Sequence, residues 1–199
     1  MLMSFIVSLQ GGMASGKTAV AHYIEKHMPD VTVSYENRSS LLASVTSQGI
    51  NKFMLDGFIQ IQRLFIQAEK ERYNGLRGKG RVVFDQGPEE VEFYTLYFPQ
   101  SIGMAWDMER LLAKELAGLR ECRLDGILFF DARSETLRHR CEAIPARNRS
   151  FFEHYMMHMH RLKKEWFLKS EISTFLQVDG KSEEEVGKAA VKWLKGFEN

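Results

Sequence analysis

The chain has 199 residues, of which 44% are hydrophobic and 27% are charged. This balance excludes a disordered segment, and no apolar run reaches the roughly 20 residues that span a bilayer. Lys and Arg total 27 against 26 acidic residues, so we expect no general attraction to a nucleic acid polymer. The length predicts a single domain over residues 1–199.

Cysteine usage and the first residues bear on the compartment. Cys122 and Cys141 are the two cysteines, and they provide neither a disulfide framework nor a zinc-binding spacing. The start carries no positive region, and its apolar stretch ends at Gln10. A signal peptide is therefore not expected. We expect a cytoplasmic protein without a membrane partner.

Apolar runs alternate with segments of helical periodicity along the chain. In order, they predict a strand over 5–9, a helix from 17 to about 28, a strand over 31–35, a helix from about 54 to 74, a strand over 81–84, helices over 88–97 and 106–119, a strand over 126–130, a helix after 134, a helix over 152–166, a strand over 174–178 and a helix over 186–197. Ser134 is expected to cap its helix. The alternation predicts an α/β fold with a five-stranded parallel sheet and helices on both faces.

The segment between the first strand and the first helix carries a phosphate-binding motif. It reads Gly11-Gly12-Met13-Ala14-Ser15-Gly16-Lys17-Thr18 and fits G-x-x-x-x-G-K-[ST]. Its glycines let backbone N–H groups surround a phosphate, and the helix adds its positive end. We expect Lys17 on the β- and γ-phosphates and the Thr18 hydroxyl on Mg²⁺. The motif predicts nucleoside triphosphate binding, whereas a glycine-rich turn is the structural alternative.

Four further features follow this loop. Glu36 comes directly after the second strand, and Asp85 ends the third strand in the order Asp85-Gln86-Gly87. The helix over 54–74 carries three uncharged amides, Gln60, Gln62 and Gln67. An arginine cluster, interrupted by residues 143–146, consists of Arg138, Arg140, Arg147 and Arg149.

With these motifs the chain resembles the deoxynucleoside kinases, within a group that includes thymidylate and other nucleoside monophosphate kinases. The resemblance covers nearly the whole chain in element order, although only a few short motifs are specific. It implies a three-layer P-loop NTPase fold with an arginine-bearing lid. It also implies an enzyme that uses ATP and Mg²⁺ to phosphorylate a nucleoside or deoxynucleoside hydroxyl.

The resemblance also implies roles for two acidic residues. Glu36 would be the general base beside the 5′-hydroxyl of the acceptor, and an exposed loop acid is the alternative. Asp85 would help to hold Mg²⁺, directly or through water. Similar kinases place an arginine after this acid, but Gln86 stands here, and an amide cannot neutralise developing negative charge.

Acceptor and lid residues are implied in the same way. Gln60 would pair with the base edge, with Tyr35 or Phe65 stacking on the ring. Arg147 and Arg149 would close over the transferred phosphate from a lid at about 141–150. Surface glutamines and a solvated basic helix face are the alternatives.

Two other functions remain open. A nucleoside monophosphate kinase would need a cation for the acceptor phosphate, which Arg38, Arg63 or Arg72 could supply. A regulatory nucleotide-binding module with little turnover is suggested by the missing arginine after Asp85. Since related kinases are often dimers, a homodimer is one possible oligomeric state.

The histidines of the helix over 152–166 are expected to be solvated.

Overall fold

The computed structural model describes residues 3–36, 39–144 and 148–198. Its strands are β1 (Phe5–Gly11), β2 (Val31–Ser34), β3 (Arg81–Asp85), β4 (Gly126–Asp131) and β5 (Ser173–Gln177). Its helices are α1 (Lys17–His27), α2 (Ser39–Ser47), α3 (Leu55–Leu76), α4 (Pro88–Ser101), α5 (Met108–Leu111), α6 (Ala113–Arg120), α7 (Ser134–Glu142), α8 (Arg149–His158), α9 (His160–Leu168) and α10 (Glu183–Lys195), followed by a 3-10 turn (Gly196–Glu198).

Two compact units divide the chain. The first unit contains Met1–Tyr35, Gly78–Gln86 and Leu124–Asn199, and therefore all five strands with α1 and α7 to α10. The second unit contains Glu36–Arg77 and Gly87–Arg123, and therefore α2 to α6. The single domain over 1–199 stays a prediction.

The sheet of the first unit is parallel throughout, with the strand order β2-β3-β1-β4-β5. In the central pair, Leu9 of β1 lies opposite Asp85 of β3. The carboxyl ends of β1 and β3 therefore meet at one edge, where ligands of open α/β sheets bind. This arrangement confirms the predicted five-stranded parallel sheet.

Helices cover both faces of this sheet within the first unit. Side chains alternate along a strand, so Leu128 and Phe130 of β4 join the core that contains residues of α1 and α10. Phe129 points to the other face, where it contacts Phe167 of α9. Because both faces are buried, the strands read as nearly continuous apolar runs in the sequence.

The second unit is built on α3, α4 and α6. Phe58 of α3 is buried and packs on Phe98 of α4 and on Trp106. Between α3 and α4, the Thr95 hydroxyl donates to Gln62 Oε1 at 2.9 Å.

Among the described residues, no helix combines the length and the apolar character needed to cross a membrane.

The structure corrects three local predictions. Two predicted long helices are interrupted: the one over 106–119 at Leu112, between α5 and α6, and the one over 152–166 at Met159, between α8 and α9. The helix α2 was not predicted. Ser134 begins α7 without capping it, and the carboxylate of Asp179 accepts instead from the Arg133 N–H and the Thr136 hydroxyl.

Candidate nucleotide site

The loop from Gly11 to Thr18 joins β1 to α1 and is held close to its neighbours. Ala14 and Gly16 have positive φ angles of 64° and 95°, and the Ser15 N–H donates to the Gly12 carbonyl at 3.3 Å. A Cβ atom on Gly11 would lie 2.7 Å from the Phe130 carbonyl oxygen. Only glycine fits there, so the loop is a narrow backbone cradle at the start of an eleven-residue helix. Such a cradle suits an anion.

Lys17 lies folded across this loop. Its Nζ donates to the carbonyl oxygen of Gly12 at 2.8 Å and to that of Gly11 at 3.4 Å, and the residue is 8% exposed. The first residue of α1 therefore holds a positive charge inside the cradle.

Thr18 and Asp85 form the pair expected for a metal site. The Thr18 hydroxyl donates to Asp85 Oδ2 at 2.7 Å, and Asp85 is 3% exposed. The second carboxylate oxygen of Asp85 is buried and has no hydrogen-bond partner among the described residues. Mg²⁺ is usually held by one or two carboxylates together with the phosphates of a substrate, so the two residues fit this ion.

Gln86 continues the chain in an unusual conformation. Its φ is 60°, and its N–H donates to the Leu9 carbonyl at 3.2 Å. The turn after β3 thus places a neutral amide residue in the left-handed region, which side chains longer than that of Asn rarely adopt.

Two residues contact the loop and a third lies near it, although no sequence pattern identified them as site residues. Arg140 of α7 donates to the Ser15 and Val178 carbonyl oxygens at 3.0 and 3.1 Å. Lys163 of α9 donates to the Gly11 carbonyl oxygen at 2.9 Å. A Cβ on Gly12 would lie 3.4 Å from the His160 ring. A basic stretch on a helix gives no sequence signal for such contacts.

His160 is half-buried, contrary to the expectation of solvated histidines. Its Nδ1 is buried and has no hydrogen-bond partner among the described residues. Burial lowers the pKa of His160 below its usual value, and the charge of Lys164 lowers the pKa further while Asp131 opposes the shift. The ring therefore favours its neutral form beside the loop.

The predicted acceptor residues lie on different elements. Glu36 follows β2 and is half-buried. The Tyr35 hydroxyl donates to Glu25 at 2.8 Å and lies 2.7 Å from His22 Nδ1, so its ring lies against α1. Burial and the carboxylate of Glu25 raise the pKa of Tyr35 to about 12. The roles of Glu36 and Tyr35 stay predictions.

Gln60 is exposed on α3, in the second unit. It lines a groove of about 720 Å³ together with Asp56, Arg63, Gln67 and apolar residues of α3 and α5. Its neighbour Gln62 is buried instead, as the partner of Thr95. Base recognition by Gln60 stays a prediction.

The predicted lid is described in part. Arg149 is exposed and begins α8, whose N-cap Asn148 accepts from the Phe151 N–H at 2.9 Å. Arg138 forms an ion pair with Glu153. Arg147 and Arg38 lie outside the described residues.

Comparison with known proteins supports the fold. A deoxyadenosine kinase from M. mycoides with dCMP and dCDP bound superposes with a TM-score of 0.72 at 8% identity, over 96% of this chain and 99% of that chain. The same kinase with bound dCTP gives 0.65 at 8% identity, over 94% and 98%. Thymidylate kinase from Candida albicans gives 0.64 at 16% identity, over 98% and 93%.

No protein-family model matches the chain, and no curated protein matches it by sequence. The chain thus shares its fold with a deoxyadenosine kinase and a thymidylate kinase. At these identities the likeness concerns the fold, which the sequence resemblance had predicted.

Proposed function

We propose that the chain transfers the γ-phosphoryl group of ATP to a hydroxyl of a nucleoside or deoxynucleoside. The observation that carries the proposal is the pair of Thr18 and Asp85, joined at 2.7 Å at the end of the phosphate-binding loop. A binding site for phosphate alone would not need a buried carboxylate with an unsatisfied oxygen, because that group repels phosphate. The two residues would hold a divalent cation, which would supply positive charge to the bound nucleotide.

The residues of the loop would act on the donor nucleotide. Lys17 leaves the Gly11 and Gly12 carbonyl oxygens and turns to the phosphate oxygens, while the loop N–H groups hold the nucleotide in place. Thr18 and Asp85 would hold Mg²⁺, which supplies positive charge to the β- and γ-phosphate oxygens. Arg147 and Arg149 of the proposed lid stabilise the charge on the transferring group.

Three further residues would act on the acceptor: Gln60 and Tyr35 would orient it, and Glu36 would deprotonate it. Glu36 accepts the proton of the attacking hydroxyl as the new P–O bond forms and the bond to the ADP leaving group breaks. Gln60 contacts the base edge and Tyr35 its ring face. These assignments rest on the sequence pattern and on the placement of each residue near the end of β2 or on α3.

Ion pairs favour a nucleoside over a monophosphate as the acceptor. Two arginines that could hold an acceptor phosphate already carry carboxylate partners: Arg63 pairs with Glu115 at 2.7 Å, and Arg72 pairs with Glu69 at 2.7 Å. An acceptor phosphate on either side chain would have to replace that partner. Nucleoside monophosphate phosphorylation is therefore the second candidate function. For either function, the proposed assembly is a cytoplasmic homodimer.

An acceptor-dependent ATP consumption assay tests the proposal. ADP formation should rise when individual nucleosides or deoxynucleosides are added with Mg²⁺, and Lys17→Met should abolish the rise in a folded protein. Stimulation by monophosphates alone would select the second candidate. ATP binding without stimulation by any member of either panel would contradict both and favour a regulatory module.

A further inference from the structure

Lys163 is a buried cation in contact with the phosphate-binding loop. It lies in the first turn of α9, is 1% exposed, and donates to the Gly11 carbonyl oxygen at 2.9 Å. Burying an ammonium group is unfavourable unless hydrogen bonds or opposite charge compensate. The hydrogen bond to Gly11 offsets part of this cost and holds the ammonium group against the loop.

The same oxygen also accepts from Lys17. The Lys17 Nζ lies 3.4 Å from Gly11 O, which is longer than its 2.8 Å contact with Gly12 O. Two ammonium groups from opposite ends of the chain thus converge on one carbonyl, and because both reach one atom they lie close together. Like charges this close repel each other, and an anion bound in the cradle would relieve that repulsion.

We propose that Lys163 is a positioning residue for the triphosphate, which rests on the nucleotide site of the proposed function. When Lys17 turns to the phosphates, the buried Gly11 carbonyl loses one donor. Lys163 keeps that oxygen satisfied and so lowers the cost of the Lys17 movement, because a buried acceptor without a donor is unfavourable. Its charge adds to the positive field of the loop, in which Gln86 supplies none.

The neighbouring lysine offers a matched control. Lys164 is next in sequence and on the same helix, but its Nζ pairs with Asp131 at 2.8 Å, and its side chain is 40% exposed. Lys164→Met removes an equal charge from the adjacent position of α9 and leaves the hydrogen bond between Lys163 and the Gly11 carbonyl oxygen in place. A general electrostatic or helix-packing effect would appear in both variants, whereas a role at the loop appears only at Lys163.

Calorimetric titration of the whole chain with ATP, ADP and adenosine, in the presence of Mg²⁺, tests the proposal. Lys163→Met should weaken ATP binding about tenfold or more, the range of a hydrogen bond to a charged group. Adenosine affinity should stay close to that of the wild type, and the ADP loss should be intermediate. Lys164→Met should change ATP affinity by no more than about twofold, as expected for a partly exposed ion pair that does not contact the loop.

Each result separates this inference from the proposed function. ATP affinity unchanged in Lys163→Met, with loss in Lys17→Met, would overturn the role of Lys163 and leave the nucleotide site intact. Equal losses for ATP and adenosine would show a merely structural role and would also overturn it. If Lys163→Met does not fold, Lys163→Gln is titrated with the same expectation. No ATP binding by the wild type would refute the nucleotide site and this inference together.

Discussion

Asp85 and Glu36 are two carboxylates with different proposed roles, Mg²⁺ binding for Asp85 and general-base catalysis for Glu36. Asp85 is 3% exposed and accepts from Thr18 at 2.7 Å, and we propose that it helps to hold Mg²⁺. Glu36 follows β2 and is half-buried. A general base must be accessible to the hydroxyl group that it deprotonates, and a half-buried side chain meets this requirement. The division of roles can be tested because each carboxylate has an amide of nearly the same shape.

Glu36→Gln should keep the ATP dissociation constant of the wild type and lower the transfer rate by roughly 10²–10⁴-fold, the usual contribution of a general base. Glu184→Gln is the matched control, since Glu184 is an exposed carboxylate of α10 that pairs with Lys188 at 2.6 Å. Rapid-quench measurement of product gives the rate. Full activity of Glu36→Gln, combined with loss in Asp85→Asn, would move the base to Asp85.

His160 predicts a pH dependence of stability. Its pKa is lowered in the folded protein by burial and by Lys164, so the unfolded state binds the proton more readily. The stabilisation is then complete above the ordinary histidine pKa of about 6.5 and is lost as pH falls through the lower folded value. Urea unfolding of wild type and His160→Asn between pH 8 and pH 5 should show a steeper acid loss in the wild type. Parallel curves would contradict the assignment.

For single residues, the motif predicted where the loop lies between β1 and α1, whereas the contacts of Lys17 and Thr18 with phosphates and Mg²⁺ stay predictions. Lys17, Thr18 and the cradle glycines lie where the motif and the strand-to-helix context require, and Asp85 meets Thr18 because β1 and β3 are neighbours. Lys163 could not be selected in this way. It is buried by the packing of α9 against β4, a contact between distant parts of the chain.

At the scale of elements, periodicity located every strand and most helices but missed two interruptions. Met159 has φ −120° and ψ −29°, which ends α8 and begins α9. The apolar pattern continues across this break, because Phe152 and Tyr155 are buried before it, Met159 is buried at it and Phe167 is buried after it. A local change of backbone direction that keeps the buried stripe intact leaves no trace in hydrophobic periodicity.

The lid yields a prediction about rate rather than binding. Replacing Arg147 and Arg149 together with alanine should lower kcat on the order of 10³-fold, as for arginines acting on a transferring phosphoryl group. The ATP dissociation constant should change little. The matched double variant is Arg138→Ala with Arg161→Ala, because both arginines pair with glutamates of α8 or α9. Equal kcat values in the two double variants would make Arg147 and Arg149 ordinary surface charge.

The contact between α1 and α10 predicts a change in stability. A Cβ on Gly187 would lie 2.4 Å from the Tyr23 ring, so Gly187→Ala should lower the free energy of unfolding by about 1–3 kcal/mol through overpacking. Gly75→Ala is the control within α3, since a Cβ there meets nothing within 4 Å. It should raise stability by about 0.5–1 kcal/mol. Denaturant unfolding measures both, and a stable Gly187→Ala would show that Tyr23 moves freely.

For the molecule as a whole, the alternation of strands and helices predicted the parallel sheet, but not the strand order β2-β3-β1-β4-β5, which depends on pairing between distant segments. The specific acceptor does not follow from the fold, since a deoxyadenosine kinase and a thymidylate kinase share it at 8% and 16% identity. We propose that acceptor choice depends on a few side chains such as Gln60, and amides on a helix surface are too common to identify a base.

Transfer of the labelled γ-phosphoryl group to an acceptor tests the proposed kinase activity. The chain is incubated with Mg²⁺, γ-labelled ATP and a panel of nucleosides, deoxynucleosides and their monophosphates, beside the Lys17→Met variant. We predict that the wild type transfers label to the hydroxyl of at least one nucleoside or deoxynucleoside and that Lys17→Met transfers no label. ATP binding without label on any nucleoside or deoxynucleoside would contradict it.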